Sequence, residues 1–260
     1  MDITSTTPLT FQGDASRTER CVLSSGELAF RKTGHPTTII REAEQLANLM
    51  NSSRIVHTPG LLASGDGWLM TTWLEGTNLA EQFAVAPNPS DRYAICERFG
   101  SILCASTAIS SRIPEVESNM DVVFDTLERV VYASEGRVIS DSDSFIDGYK
   151  VDDIWTELSS DAASIVPEIR YCQGDWCLPN LITAIVNAGE LGAIVDWSEA
   201  CWMDWRLCIA DGLWSIGFNS RLAGVVPSDH QQSFLTACDF KMDTHEIVWH
   251  RKLRALMSLI

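Results

Sequence analysis

At 260 residues the chain is long enough for one large domain or two smaller ones with their own cores, so no disulfide or metal staple is required. Its 35 acidic and 19 basic residues leave a net charge of -16, which repels phosphates over most of the surface and excludes a backbone-binding nucleic-acid partner. The charge accounts for solubility by itself; any share that lines a cleft would also draw in a cationic small molecule.

The eight cysteines form no C-x-x-C pair and no Cys/His cluster at zinc spacing. They read as reduced, mostly buried thiols of a cytoplasmic protein. The N-terminus, Met1 to Thr6, lacks a basic segment followed by an apolar run, and no window reaches the apolar length of a membrane span. The expectation is a cytoplasmic protein that is neither secreted nor membrane-embedded; the pattern sets no oligomeric state.

Residues 1–19 carry few apolar side chains and read as a loose lead-in. Arg20 to Leu23 and Glu27 to Lys32, around the turn Ser24-Ser25-Gly26, predict a β-hairpin. Gly13 to Ser16 is a loop with one glycine and no phosphate-binding glycine pattern. Arg41 to Met50 predicts a helix with Leu46, Leu49 and Met50 on one face. Taken singly, Lys32 is a solvated strand end and Glu42 a first-turn acid favoured by the helix dipole. A strand lysine and a helix-opening glutamate can also meet in a small αβ lobe, where the ammonium bridges to a nucleotide phosphate.

After the turn Gly65-Asp66-Gly67, Trp68 to Leu74 reads as a buried strand. Its end, Trp73-Leu74-Glu75-Gly76, has the look of a connector between two lobes, where an adenine could pair with backbone groups. From Ser90 onward helices dominate. Ile95, Phe99, Ile102 and Leu103 recur at helical spacing, as do Val123, Leu127, Val130 and Val131, and both stripes are core. Asp141, Asp143 and Asp147 alternate as in a calcium loop, but position twelve is Asp152 rather than Glu and the glycine falls two positions late. A polar loop facing solvent or a cationic substrate is the better reading.

A helix from Asp152 ends before Pro167, and Arg170-Tyr171-Cys172 leads into Gln173-Gly174-Asp175-Trp176-Cys177-Leu178-Pro179-Asn180. Leu181 to Val186 and Leu191 to Val195, around Asn187 to Glu190, predict a hairpin ending at Asp196. Trp205 to Phe218, a helix capped by Ser228 and a last helix opened by Asp243 and Glu246 complete the chain. A Gly-Asp leaving a strand, an Asn five residues on, a short hairpin and a strand-ending Asp form the layout of a phosphoryl-transfer site. One carboxylate faces the acceptor hydroxyl, while an amide oxygen and a second carboxylate hold magnesium against the donor phosphates.

In these residues the chain resembles the aminoglycoside 3′-phosphotransferases, small-molecule kinases with the protein-kinase fold. Gly174 to Asn180 and Ile194-Val195-Asp196 are similar to that family's catalytic loop and metal-binding strand, and Arg41 to Leu46 to its ion-pair helix; the match runs over about residues 10–257. The resemblance implies an α/β (α+β) bilobal fold, with a small β-rich lobe over 1–75 that binds nucleotide and a larger, mostly helical catalytic lobe over 76–260. It implies ATP and Mg²⁺, with Asp175 orienting or deprotonating the acceptor hydroxyl and Asn180 and Asp196 binding the metal. Lys32, held by Glu42, would hold the α- and β-phosphates, and Trp73 and Leu74, at the connector, are the residues expected to meet the adenine through backbone groups. Asp141, Asp143, Asp147 and Asp204 are the acids expected to meet a cationic acceptor. Three positions depart from the family pattern: Gln173 stands for a His, Cys208 for an Asp, and the C-terminal helix is basic rather than acidic. The activity implied is phosphorylation of an aminoglycoside or similar polycation, conferring resistance. The alternatives are a kinase of another hydroxyl acceptor, such as an amino alcohol, a sugar or a different antibiotic, and a nucleotide-binding pseudokinase.

Overall fold

The computed structural model describes residues 2–9, 16–49, 57–108, 120–134, 136–140, 146–183, 192–257 and 259. Five antiparallel strands form the N-terminal sheet: β1 (Ile3–Pro8), β2 (Arg17–Leu23), β3 (Leu28–Thr33), β4 (Leu61–Gly65) and β5 (Trp68–Thr72), in the order β1-β2-β3-β5-β4. Residues 3–8 were expected to be a loose lead-in. They instead pair with β2, from Ile3 opposite Leu23 to Pro8 opposite Glu19. A threonine-rich edge strand with one half-buried residue needs no apolar alternation, because ladder hydrogen bonds and not burial hold it.

β3 is central, with Lys32 opposite Thr18 on one side and Leu69 on the other. Helix α1 (Pro36–Leu49) packs beside the sheet through Ile39, Ala43, Leu46 and Leu49, and the same face carries Glu42 inward. Alternation on the strand and a 3.6-residue period on the helix thus aim Lys32 and Glu42 at each other.

After β5 the chain passes through Trp73 to Gly76 into β6 (Thr77–Asn78) and α2 (Leu79–Val85), where Asn78 accepts a hydrogen bond from Glu81 N and caps the helix. The rest is mainly helical: α3 (Pro89–Thr107), α4 (Met120–Ala133), α5 (Val151–Asp161), α6 (Arg206–Leu222), α7 (Pro227–Ala237) and α8 (His245–Met257). Trp176 stacks on Phe99 and Phe234 packs tilted against it at the centre, with ring centroids 5.6 and 5.0 Å from Phe99. All three are fully buried, each contributing on the order of 1.5–3 kcal/mol. The result is a protein-kinase-like fold, with a β-rich N-terminal sheet and a helical C-terminal part.

The predicted second hairpin is β8 (Leu181–Thr183) with β9 (Ala193–Ile194), and Leu181 faces Ile194; its turn lies outside the described residues. One local expectation is corrected and one strand is added. Ser228 does not cap α7, which begins at Pro227 because proline's fixed φ suits the first helical position. A strand unread in the sequence, β10 (Cys201–Asp204), pairs with β7 (Ile169–Cys172). No helix among the described residues is long and apolar enough to cross a membrane.

Candidate active site

The catalytic-loop segment leaves β7 and turns back under the hairpin. Gly174 has φ +92°, and a Cβ there would lie 2.1 Å from Glu199 O, so the turn admits only glycine. Gln173 ties the loop to the end of β9. Its Oε1 accepts from Asp175 N at 3.0 Å, while its Nε2 donates to Val195 O at 3.2 Å and to Asp196 O. A titrating imidazole is therefore not needed to join the two halves of the site; a buried amide does so at any pH. Asp196 has φ 55°, a left-handed conformation that an aspartate tolerates and that turns its carboxylate back toward β3.

Asn180 Nδ2 donates to Asp175 O at 3.0 Å and to Asp175 Oδ2 at 2.9 Å. Cys177 Sγ lies 3.7 Å from the same Oδ2. Asp175 Oδ1 and Asn180 Oδ1 take no hydrogen bond from any described residue. Asp175 is exposed at the cleft floor, yet the protein packed round it and the charge of Asp196 lift its carboxyl above the usual range, against Asn180, Cys177 and Arg254. A base with a raised pKa and an open oxygen is suited to accept a proton from a hydroxyl.

Lys32 Nζ lies 2.9 Å from Glu42 Oε2 and 2.7 Å from Asp196 Oδ1. Burial opposes its charge, but the two carboxylates outweigh burial and hold its pKa above the ordinary value. Burial pushes Glu42 up by more than Lys32 pulls it down, and the backbone N–H of Trp197 also supports its charge. These groups share one cleft of about 540 Å³. Lys32, Glu42, Trp73, Leu74, Asp175, Asn180 and Asp196 all line it, and its apolar roof includes Phe30 and Leu69. Leu74 N–H and C=O make no backbone hydrogen bond with a described residue.

The oxygen donors Asn180 Oδ1 and Asp196 Oδ2, neither engaged by a described residue, suit a hard cation that takes its remaining positions from water and phosphate. Among the described residues no group of three or more His, Cys, Asp or Glu could hold a metal by itself.

The acids expected to meet an acceptor fare differently. Asp141 and Asp143 lie outside the described residues. Asp147 is exposed in the turn at Ile146–Gly148 and is not among the cleft residues. Asp204 is corrected: it is 1% exposed, 2.9 Å from Arg206 Nε and 3.1 Å from His250 Nε2. An acid two residues before a buried arginine at a helix start is a structural partner, not a surface for ligands.

Of the support beneath the loop, the sequence pointed to Cys208 and left Asp211 and Ser215 unread. Cys208, Asp211 and Ser215 lie on one face of α6, at spacings of three and four residues. Ser215 Oγ accepts from Leu178 N at 3.0 Å, and Asp211 Oδ1 accepts from Arg254 Nε of α8 at 2.6 Å. Cys208, where the family pattern has Asp, is wholly buried against Cys172 and the Gly174 N–H.

A search of curated proteins finds no match. Among solved structures, an aminoglycoside-3′-phosphotransferase of type VIII superposes with a TM-score of 0.70 at 18% identity, covering 96% of this chain and 93% of the other. An aminoglycoside phosphotransferase from Streptomyces rimosus, in complex with ADP and streptomycin, gives 0.61 at 14% identity, covering 97% and 92%. A Plasmodium vivax ethanolamine kinase gives 0.57 at 15% identity, covering 99% and 74%. At such identities these structures establish a shared fold. The phosphotransferase enzyme family, APH, matches residues 13–224, and the chain belongs to that family.

Proposed function

We propose that the protein transfers the γ-phosphoryl group of ATP to a hydroxyl of an aminoglycoside or a similar polycationic small molecule, conferring resistance. The observation that carries the phosphotransferase reading is the convergence of Lys32, Glu42, Asp175, Asn180 and Asp196 in one cleft. Residues 1–75 serve as the nucleotide-binding lobe and 76–260 as the catalytic lobe. The net charge of -16 and the ADP complexes with streptomycin or hygromycin B among the structural neighbours support a cationic acceptor.

Lys32, steadied by Glu42, binds donor phosphates and gives up its contact with Asp196 as it does so. The connector at Trp73 and Leu74 receives the base between Phe30 and the catalytic lobe. Asn180 and Asp196 would hold Mg²⁺, which neutralises charge on the phosphates when bound. Asp175, fixed through Oδ2 by Asn180, presents Oδ1 to the acceptor hydroxyl and takes its proton as the O–P bond forms and the bond to ADP breaks. Positioning and charge neutralisation dominate such a transfer.

A second reading keeps the chemistry and changes the acceptor. The basic α8, together with an ethanolamine kinase and a macrolide 2′-phosphotransferase among the neighbours, favours it. Product mass after incubation with Mg-ATP and kanamycin, neomycin, amino alcohols or sugars, with Asp175→Asn as blank, decides. A gain of one phosphate on an aminoglycoside supports the first reading. Turnover only on another acceptor supports the second, and ATP binding without turnover leaves a nucleotide-binding module.

A further inference from the structure

Asp175 has two flanks. One lines the cleft with Lys32 and Trp73, whereas Asp211, Trp214 and Arg254 are absent from that lining. A nucleotide filling the cleft leaves the opposite flank for the acceptor. α6 packs against the loop at Leu178–Asn180, and α8 packs on α6. Ser215 holds the loop at Leu178, and Asp211, one turn earlier on the same helix face, holds Arg254.

Arg254 is an unusual group to find there. Its Nε is fixed on Asp211 Oδ1 at 2.6 Å, and its guanidinium carbon lies 4.8 Å from the centroid of the Trp214 ring. These two contacts set the guanidinium rigidly, at little further entropic cost on binding. Its hydrogen bond to Asp211 uses Nε, its two terminal nitrogens make no hydrogen bond with any described residue, and the side chain is 23% exposed. The charge also acts on Asp175, where it favours the carboxylate.

We infer that Arg254 is a specificity-determining residue, donating hydrogen bonds to an oxygen vicinal to the reacting hydroxyl. The acceptor then carries a hydroxyl, carbonyl or carboxylate at that position and not an ammonium group. This rests on the phosphotransferase reading and deepens it. The argument depends on donor polarity as well as charge. Asp211 offsets much of the positive field at a distance, but the terminal N–H groups remain donors, and an ammonium group offers them nothing to bond. An oxygen does, and a partly desolvated guanidinium makes such bonds strong. A polycationic acceptor still fits, provided the carbon beside its reacting hydroxyl bears oxygen.

The test compares acceptors that differ only by oxygen or nitrogen beside a hydroxyl: kanamycin A with kanamycin B, glucose with glucosamine, glycerol with 2-amino-1,3-propanediol. kcat/KM with Mg-ATP is measured by product mass for the parent, Arg254→Met and Arg254→Lys, with acceptor-independent ADP release as a second readout. The expected result is a preference of at least tenfold for the oxygen member, lost in Arg254→Met while the KM for ATP stays within twofold, and partly restored by Lys. Equal use of both members by the parent overturns the inference even if the variants do not fold. So does a preference that survives in Arg254→Met. ADP release without phosphorylation of any of the six compounds rejects this acceptor class and leaves the phosphotransferase reading standing. Neither ADP release nor transfer with any acceptor defeats that reading and the inference together.

Discussion

Lys32 Nζ and Asp196 Oδ1, 164 residues apart in sequence, lie 2.7 Å apart. The contact joins the N-terminal sheet to the end of the β8–β9 hairpin, and Glu42 completes it from α1. The two carboxylates share one ammonium. Lys32→Ala therefore leaves Glu42 buried and unpaired, and about 3–5 kcal/mol of stability should be lost. Glu42→Gln, which keeps a hydrogen-bonding side chain beside Lys32, should cost less. Urea unfolding of the two variants checks the order, and a costlier Glu42→Gln would show that an unpaired Glu42 charge is not what Lys32→Ala loses.

Asp175→Asn should lower phosphoryl transfer by about 10²–10⁴-fold and leave the affinity for ATP nearly unchanged. The amide keeps the bond geometry at Oδ2 but removes the proton acceptor at Oδ1. Because the carboxyl is held above its usual range, kcat/KM of the parent should fall on its acid side as Asp175 gains a proton. Residual activity of the variant should lack that limb. Equilibrium dialysis with ATP and a pH–rate profile read the two outcomes.

Gln173→Leu should destabilise the site by several kcal/mol, on the scale of about 1–3 kcal/mol for each buried backbone group left without a partner. Gln173→His should recover only part of this, since one imidazole cannot reproduce the three bonds to Asp175 N, Val195 O and Asp196 O. Hydrogen exchange at Asp175 N reports the loss locally; full protection in Gln173→Leu would refute the bridging role.

Much of this site was legible because its parts are local. Gly174, Asp175 and Asn180 fall within one turn and a short loop, and strand and helix periods alone aim Lys32 and Glu42 inward. What was not legible depends on pairing across the chain. β1 is carried by ladder bonds to β2 and has no apolar signature. Arg254 and Asp211 meet only because α8 packs on α6. Asp204 was misread for the same reason: its sequence neighbours show an acid near a helix start, and only the fold supplies His250 from α8 to bury it.

Asp211 predicts an unusual pH response. Burial pushes its carboxyl up to about 6, outweighing the pull of Arg254. A carboxyl near 3.9 in the unfolded chain and about 6 in the fold ionises at a cost to the folded state. That cost is absent below both values, grows between them, and is complete at neutral pH. Asp211→Asn should therefore remove a fall in stability between about pH 4 and pH 6. Thermal unfolding midpoints of parent and variant across that window should converge at the acid end and diverge at the neutral end.

Asp204 predicts the opposite. Burial alone would raise its carboxyl, but Arg206 and His250 hold it well below the usual carboxylate range. Its stabilisation is thus present in full above the unfolded value near 3.9 and is lost as pH falls below it toward the depressed folded value. At neutral pH, Asp204→Asn leaves the Arg206 guanidinium, 5% exposed, without its counter-charge. Removing one member of such a buried pair should cost about 3–5 kcal/mol. Because Asp204 is not among the cleft-lining residues, the loss should appear in urea unfolding and not in the KM for ATP. A variant as stable as the parent but with altered acceptor use would return Asp204 to the substrate-binding role the sequence suggested.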